Sequence, residues 1–292
     1  MKVFIIGILY SLCIFFSINT LFSQDTIPIT IGTDNRIYLK VTVNGSEELD
    51  FIFDTGASAM VANTTQTDKK LNLNYNNSVE NTGANGVSTQ KVSAGNTIQI
   101  GSFKRENEEL IGIEYPEKHY SFDGVIGYPF FEDFLMEIDY ESQIIVVHRS
   151  KNTIANRTSY EKVSLDFMNA LFYMDMTVFK KEKPVQFPVM IDTGFNGDLI
   201  VYHKTVSEKG LANQFEKIRN SRSEGTDGTV IESDLVIIPK VILAKTTLQN
   251  TEASLNLTPT STAFTAILGG NIMKHFHWIF DYKKRQLYIR PN

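Results

Sequence analysis

The sequence contains two Asp-Thr-Gly triplets, at residues 54–56 and 192–194, and three apolar residues precede each of them. An apolar strand that ends at such a triplet would place the carboxylate at a sharp turn, because glycine permits backbone geometry that a side chain forbids. If Asp54 and Asp192 face each other, a water can sit between them. The ionised carboxylate then accepts a proton from the water, and the protonated one donates to a carbonyl oxygen. Because two close carboxylates cannot both ionise cheaply, the pair would hold one proton at acidic to mildly acidic pH.

The two triplets belong to two copies of a longer pattern. Five landmarks recur in the same order: an alternating strand, the triplet, a loop with paired glycines, an apolar-apolar-Gly element and an apolar-Asp-Tyr element. The paired segments are residues 38–43 and 173–178, 51–56 and 189–194, 83–86 and 225–228, 125–127 and 267–269, and 138–140 and 280–282. Gly127 follows Gly86 by 41 residues, as Gly269 follows Gly228. This regularity predicts an internal duplication.

The two copies predict a mainly β protein with two similar lobes, residues 25–150 and 151–292. Most segments alternate apolar and polar residues, as short strands do. The join lies in the polar stretch 149–159, which has the composition of a linker. One short helix is expected after each apolar-apolar-Gly element, with Pro129 in the first turn of one and Asn271 as the cap of the other.

Residues 1–24 have the pattern of a secretory signal peptide, since Lys2 precedes an apolar run that continues to Phe22, and polar sequence begins at Gln24. We therefore expect export to the periplasm, the cell surface or the medium. A retained membrane anchor is the alternative, because the run approaches the roughly 20 residues that span a bilayer. The only cysteine, Cys13, lies within this run, so the mature protein is expected to have no disulfide, thiol nucleophile or cysteine metal site.

Composition limits the class of partner. The chain has 292 residues, of which 42% are hydrophobic and 21% charged, as in ordinary globular proteins. Its net charge of −5 argues against electrostatic binding of nucleic acid or anionic lipid, so we expect no nucleic-acid partner and no membrane contact beyond the signal segment. His275 and His277 would share one strand face, but packing is favoured over metal binding because no third ligand accompanies them. Asp139 and Asp281 are expected to bond within hairpin turns.

With its paired triplets, glycine loops and apolar-apolar-Gly elements, the chain from about Ile37 onward resembles the pepsin and retropepsin clan of aspartic peptidases. It looks most like bacterial retropepsin-like aspartyl proteases with two tandem units. The resemblance implies two retropepsin-like lobes that form a pepsin-like bilobal pseudo-dimer with a central cleft, in a monomer with an internal pseudo-two-fold axis. It also implies an endopeptidase that hydrolyses extended peptide or protein substrates without a metal or organic cofactor.

Carried onto this sequence, the resemblance assigns catalysis to Asp54 and Asp192. Thr55 and Thr193 each offer a hydroxyl that can bond across to the other lobe. The residues that would support the catalytic turns are Thr55, Gly56, Ser58, Thr193, Gly194, Gly127 and Gly269, with the last two behind the aspartates. The residues that would belong to substrate-covering flaps are Gly83, Gly86, Gly225 and Gly228, although neither loop has the tyrosine found in pepsin flaps.

The second triplet departs from the family pattern, because Phe195 stands where the first copy has Ala57. We expect this ring to narrow the substrate pocket on its own side of the cleft; a ring that points into the lobe core is the alternative. Two other interpretations of the chain stay open. The fold could bind extended peptides or cell-surface polymers without cleaving them, or each unit could pair with its copy in a second chain. The linker favours pairing within one chain, because it raises the effective concentration of the units.

Overall fold

The computed structural model describes residues 25–82, 87–118, 120–148, 150–224, 230–259 and 263–292. The expected signal peptide and the paired glycines of both loops lie outside these ranges. Within them the protein is mainly β, as predicted, and its strands are numbered β1 to β22 along the chain. In the described part of the chain, no helix has the length and apolar character needed to cross a bilayer.

The first copy forms an eight-stranded sheet with the order β2-β3-β4-β9-β5-β8-β7-β6. Its strands are β2 (Thr30–Ile31), β3 (Ile37–Val43), β4 (Leu49–Asp54), β5 (Met60–Asn63), β6 (Tyr75–Thr82), β7 (Val87–Ile100), β8 (Phe103–Ile113) and β9 (Gly124–Gly127). The alternation predicted for β3 is confirmed, because Leu39, Val41 and Val43 are buried while the residues between them are more exposed. This alternation directs one face of the sheet into the core.

The second copy forms another eight-stranded sheet, with the order β13-β14-β15-β20-β16-β19-β18-β17. Its strands are β13 (Asp166–Met168), β14 (Leu171–Lys180), β15 (Lys183–Asp192), β16 (Leu199–Val201), β17 (Glu216–Glu224), β18 (Val230–Leu243), β19 (Thr246–Asn256) and β20 (Ala266–Gly269). Position by position, this order matches that of the first sheet. Even the extra pairing is repeated, since β3 pairs with β7 and β14 pairs with β18.

A six-stranded sheet joins the two copies, with the order β1-β11-β10-β21-β22-β12. Its strands are β1 (Asp25–Pro28), β10 (Leu135–Asp139), β11 (Ile144–His148), β12 (Glu161–Ser164), β21 (Phe276–Asp281) and β22 (Gln286–Pro291). The junction is the antiparallel pair β10–β21, in which Met136 lies opposite Phe280. The turn roles predicted for Asp139 and Asp281 are confirmed, because their carboxylates accept from the backbone of Ser142 and Lys284 at 2.9 and 3.2 Å.

One hydrophobic core extends through both copies and includes the inner face of the six-stranded sheet. There the rings of Trp278, Phe280 and Tyr282 stack in series, with centroids 6.3 and 5.2 Å apart. The buried indole of Trp278 donates to the carbonyl of Met273 at 2.8 Å, so its polar atom is satisfied. Because this core is continuous, it fixes the two eight-stranded sheets relative to each other.

Helices are short and few among the described residues. The α-helices are α1 (Thr64–Thr67), α2 (His203–Glu208) and α3 (Gly270–Met273), and the 3-10 helices are Tyr128–Phe131, Lys151–Thr153, Arg157–Ser159 and Tyr282–Lys284. The expected short helix follows each apolar-apolar-Gly element, and Pro129 lies in its first turn as predicted. The prediction that Asn271 caps the second one is wrong. Gly269 is the cap, and Asn271 lies inside α3 with its side-chain amide donating to Asp198.

Candidate active site

The two Asp-Thr-Gly triplets lie at the ends of equivalent strands. Strand β4 ends at Asp54, and β15 ends at Asp192. Each strand pairs in parallel with an apolar-apolar-Gly strand, so that Asp54 lies beside Gly127 and Asp192 beside Gly269. The aspartates therefore leave their sheets at the same point in each lobe, with the predicted glycines next to them.

The two threonines lock the triplets together. The backbone N–H of Thr55 donates to Oγ1 of Thr193 at 3.0 Å, and the N–H of Thr193 donates to Oγ1 of Thr55 at 3.1 Å. Each hydroxyl in turn donates across the interface, Thr55 to the carbonyl of Ile191 at 2.7 Å and Thr193 to that of Phe53 at 2.6 Å. Both threonines are buried. Four reciprocal bonds thus hold the two Asp-Thr-Gly turns in one geometry.

Each glycine of a triplet lies against the aspartate of the other triplet. A Cβ added to Gly56 would sit 2.7 Å from Cγ of Asp192, and one added to Gly194 would sit 2.5 Å from Cγ of Asp54. Any larger residue would collide with the opposite carboxyl group. The glycines are therefore required by close approach between the lobes, in addition to the sharp turn expected from the sequence.

Gly127 and Gly269 allow the turns to fold back over the neighbouring strands. A Cβ on Gly127 would overlap the carbonyl oxygens of Ala57 and Ala59, and one on Gly269 would overlap the carbonyl of Gly197 and the ring of Phe195. Ser58 behaves differently from its expected supporting role. It is exposed, and among the described residues its hydroxyl makes no hydrogen bond to the Asp54 turn.

The carboxyl groups of Asp54 and Asp192 lie within hydrogen-bonding reach of each other. Their backbone partners differ. Oδ1 of Asp54 accepts from the N–H of Gly56 at 2.7 Å, whereas Oδ1 of Asp192 accepts from both Gly194 at 2.7 Å and Phe195 at 2.9 Å. The second carboxylate therefore has one more donor, which favours its ionised form.

Burial shifts both carboxyl groups towards the protonated form. Desolvation raises the pKa of Asp54 well above its usual value, and the charge of Asp192 and the hydrogen bond to it raise it further. Desolvation also raises the pKa of Asp192, but the hydrogen bonds from Asp54, Phe195 and Gly194 oppose that shift. The pair is thus suited to holding one proton.

Arg36, which the sequence reading did not single out, reaches this site from the first lobe. Its Nε donates to the carbonyl oxygen of Gly194 at 2.7 Å, across to the turn of the second lobe. Its Nη1 lies 2.7 Å from Oδ2 of Asp34. The guanidinium charge lowers the pKa of both Asp54 and Asp192, against the larger effect of desolvation. The sequence feature that could have indicated Arg36 is a charged residue just before β3, at the position where the second copy has Leu171.

The flanks of the two turns differ. Beside the first, Ala57 packs with a cluster in which the rings of Tyr115, Tyr120 and Phe122 make mutual edge contacts at 5.2–5.6 Å. Desolvation, and after it the charge of Asp54, raise the pKa of Tyr115. Beside the second, the half-buried ring of Phe195 lies over Gly197 and Gly269 and packs against the main core. The sequence reading missed the tyrosines.

The four flap glycines, Gly83, Gly86, Gly225 and Gly228, lie outside the described residues. The strands that lead to them are described. Strands β6 and β7 form a long antiparallel hairpin, and β17 and β18 form its equivalent in the second lobe. Two hairpins of this kind match the position in each lobe at which the resemblance predicts a flap.

Among the described residues, no group of three or more His, Cys, Asp or Glu side chains could hold a metal ion. His277 is buried in β21, with Nδ1 3.8 Å from Glu137 and 3.9 Å from Asp139. Its neighbour His275 lies between α3 and β21 rather than on the strand. The two histidines therefore do not share a strand face.

Comparison with known proteins adds one positive finding. Residues 39–130 match the family model described as aspartyl protease, a segment that contains Asp54, its triplet and Gly127. A search of curated proteins gave no significant match. The family match and the mainly β fold with two like sheets agree with the sequence motifs. The resemblance to the retropepsin-like aspartyl proteases that was inferred from the sequence is confirmed over residues 39–130, and the mainly β fold with two like sheets is consistent with it.

Proposed function

We propose that the protein is an aspartic endopeptidase in which Asp54 and Asp192 activate one water between them. The observation that carries this proposal is the juxtaposition of the two triplets, whose threonines make four hydrogen bonds across the interface, two of them to each other, while the carboxyl groups lie within hydrogen-bonding reach. The family match over residues 39–130 supports the same chemistry.

The roles of the two aspartates follow from their different partners. Asp192, with two backbone donors, is the ionised member and takes a proton from the water as its oxygen attacks the scissile carbonyl carbon. Asp54, with one backbone donor, carries the proton and gives it to the carbonyl oxygen. The C–N bond of the tetrahedral intermediate then breaks as Asp192 transfers its proton to the nitrogen. One hydroxyl proton passes back to Asp54 as the new carboxyl group forms, which restores the starting state.

Specificity in this proposal comes from the unequal flanks of the cleft. Tyr115 and Tyr120 belong to the aromatic cluster that packs with Ala57, which follows the first triplet, while Phe195 packs against its own lobe. The substrate side chain nearest the first lobe is therefore expected to be apolar or aromatic. Burying a side chain of that size contributes on the order of 1.5–3 kcal/mol, enough for roughly tenfold selection or more.

The proposal also includes the export of the protein and the organisation of its two lobes. Residues 1–24 would direct export and be removed, and the two lobes 25–150 and 151–292 would be tandem copies within one monomer related by a pseudo-two-fold axis. The identical strand orders of the two eight-stranded sheets support the tandem copies. The shared six-stranded sheet supports pairing within one chain over pairing between chains.

The experiment that tests the function is peptide-library cleavage between pH 3 and 8, with Asp54→Asn and Asp192→Asn as matched variants. Cleavage by the natural protein and none by either variant is expected. Binding of extended peptides without any cleavage would replace the proposal with the non-catalytic binding module. Cleavage that persists in both variants would mean that another site is responsible.

A further inference from the structure

A turn of the first lobe, residues 32–36, docks onto the catalytic turn of the second. Besides the bond from Arg36 Nε to the carbonyl of Gly194, Asn35 accepts from Nζ of Lys274 at 3.2 Å. A Cβ on Gly270 would sit 2.9 Å from the backbone oxygen of Asn35, so the turn and the start of α3 are in close contact. The contact joins the turn that carries Asp192 to a segment of the opposite lobe.

The guanidinium of Arg36 is held in place by its own lobe. Asp34 binds it at 2.7 Å through Oδ2 and accepts from the Arg36 backbone through Oδ1 at 3.2 Å. The hydroxyl of Tyr38 donates to the same Asp34 carboxylate at 3.1 Å. The side chains of Arg36 and Asp34 are only 17% and 28% exposed, so solvent screens this pair less than a surface pair. Arg36 therefore presents a fixed charge and a fixed donor.

The second lobe has no equivalent of this arginine. Matching Tyr38 to Tyr173 puts buried Leu171 at the position of Arg36. The exchange of bonds between the two threonines is symmetric, but the arginine contact is made in one direction only. This difference breaks the pseudo-two-fold symmetry at the site itself.

We propose that Arg36 is a positioning residue for the reaction, which fixes the Asp192 turn from the opposite lobe and favours the ionised form of the aspartate pair. The inference rests on the proposed peptidase function and names a group that lowers its working pH. The other titratable groups around the site are Asp34, which binds Arg36, Tyr115 and Tyr282, whose pKa values the charge of Asp54 raises, and Tyr202, whose pKa the charge of Asp192 raises. Their tyrosine hydroxyls stay neutral in the range concerned, because burial raises the pKa of each.

Two substitutions with opposite electrostatic effects test the proposal. Arg36→Gln removes the positive charge, so both limbs of the activity profile should move to higher pH, by about 0.5–1 pH unit. Asp34→Asn removes the neighbouring negative charge and should move both limbs to lower pH. Arg36→Lys keeps the positive charge but not the planar guanidinium group. It should therefore restore most of the natural pH profile, whereas kcat should stay below that of the natural protein. Lys40→Gln, which removes an exposed charge from the same lobe, is the control and should leave the profile unchanged.

A readout independent of cleavage separates this inference from the proposed function. Carboxyl carbons of labelled aspartate can be titrated by NMR, with Asp54 and Asp192 assigned from their Asn variants. The Arg36→Gln and Asp34→Asn proteins should show shifts of opposite sign for the pair, with folding checked by thermal unfolding. Opposite shifts without peptide cleavage would support the role of Arg36 and count against the peptidase. An unshifted titration in folded Arg36→Gln would overturn the role of Arg36 whatever the activity.

Discussion

Thr55 and Thr193 are each other's hydrogen-bond acceptor: each backbone N–H donates to the hydroxyl of the other, at 3.0 and 3.1 Å, from opposite lobes. Each hydroxyl is also a donor, to a buried carbonyl group of the facing strand. The alignment of the two aspartates thus depends on two side chains that take no part in the chemistry.

Removing either hydroxyl should therefore cost both stability and activity. In Thr55→Ala, the N–H of Thr193 and the carbonyl of Ile191 lose their partners, which we expect to lower the free energy of unfolding by about 1–3 kcal/mol for each group left unpaired. Thr193→Ala should behave alike. Chemical denaturation measures the loss. Thr55→Ser should recover most of it, and Thr89→Ala, at an exposed position, is the control; equal stability of Thr55→Ala and Thr89→Ala would contradict the prediction.

Asp54→Asn and Asp192→Asn should each lower kcat by about 10²- to 10⁴-fold or more, because each removes one half of the acid–base pair. The isosteric amide keeps the shape of the site, so both variants should remain folded by circular dichroism. Steady-state hydrolysis of a fluorogenic peptide chosen from the library measures the effect. EDTA should not change the rate of the natural enzyme, and a metal-dependent recovery of activity would point to different chemistry.

The aspartate pair should also make stability depend on pH. The pKa of Asp54 is raised in the folded protein, so its contribution to stability is fully present below the unfolded pKa and is lost as pH rises through the folded value. Carboxyl groups with lowered pKa, such as Asp34 and Glu137, act in the opposite sense and lose their contribution on acidification. Relative to the natural protein, Asp54→Asn should therefore gain stability as pH rises from acidic to neutral. Thermal unfolding across that range measures the gain, and Asp175→Asn, at an exposed position, should show none.

Gly127→Ala and Gly269→Ala should destabilise the turns from behind. Each added methyl group would overlap backbone oxygens of the residues that follow Asp54 or Asp192, and overpacking of this kind costs about 1–3 kcal/mol. The strain falls on the turn itself, so kcat should fall at temperatures where the variants are still folded. Gly45→Ala has open space around its Cβ but a positive φ of 77°, so it should lower stability without lowering kcat in the folded protein. Full activity in both folded turn variants would disprove the link to catalysis.

Phe195→Ala separates the two roles considered for this ring. Full loss of a core phenylalanine costs 3–5 kcal/mol, so we expect roughly half of that for a half-buried ring packed on Gly269 and the main core. Tyr115→Ala should instead broaden cleavage specificity, because that ring packs in the cluster that includes Ala57, next to the first triplet. Library profiling of both variants decides the matter. A profile that relaxes in Phe195→Ala alone would restore the pocket role expected from the sequence.

Much of the architecture could be predicted because the same set of landmarks occurs twice in the sequence. The matched spacings from Gly86 to Gly127 and from Gly228 to Gly269 required equivalent loops, and the alternation in β3 required one buried face. The two triplets then indicated turns that meet, because such a meeting explains why threonine and glycine follow each aspartate. These features depend on local pattern and on comparison of the chain with itself.

The errors and omissions arise where distant segments meet. Asn271 is suited to a helix cap by type, yet the carboxylate of Asp198 binds its amide and Gly269 takes the cap position. Arg36 meets Gly194 across 158 residues of sequence, in a contact without a counterpart that a repeat could reveal. Tyr115 and Tyr120 come together only because their loop folds back against Ala57. Such contacts depend on tertiary packing, which composition and periodicity do not encode.

The junction of β10 with β21 also imposes an order of events during synthesis. Strand β21 and its partner β22 come late in the chain, well after Asp192, yet they join the lobes that the aspartate pair requires. A nascent chain that has emerged only as far as the second triplet lacks this junction, so its two aspartates are not yet aligned. If the proposed function is right, hydrolytic activity should therefore arise only once the last hairpin is complete.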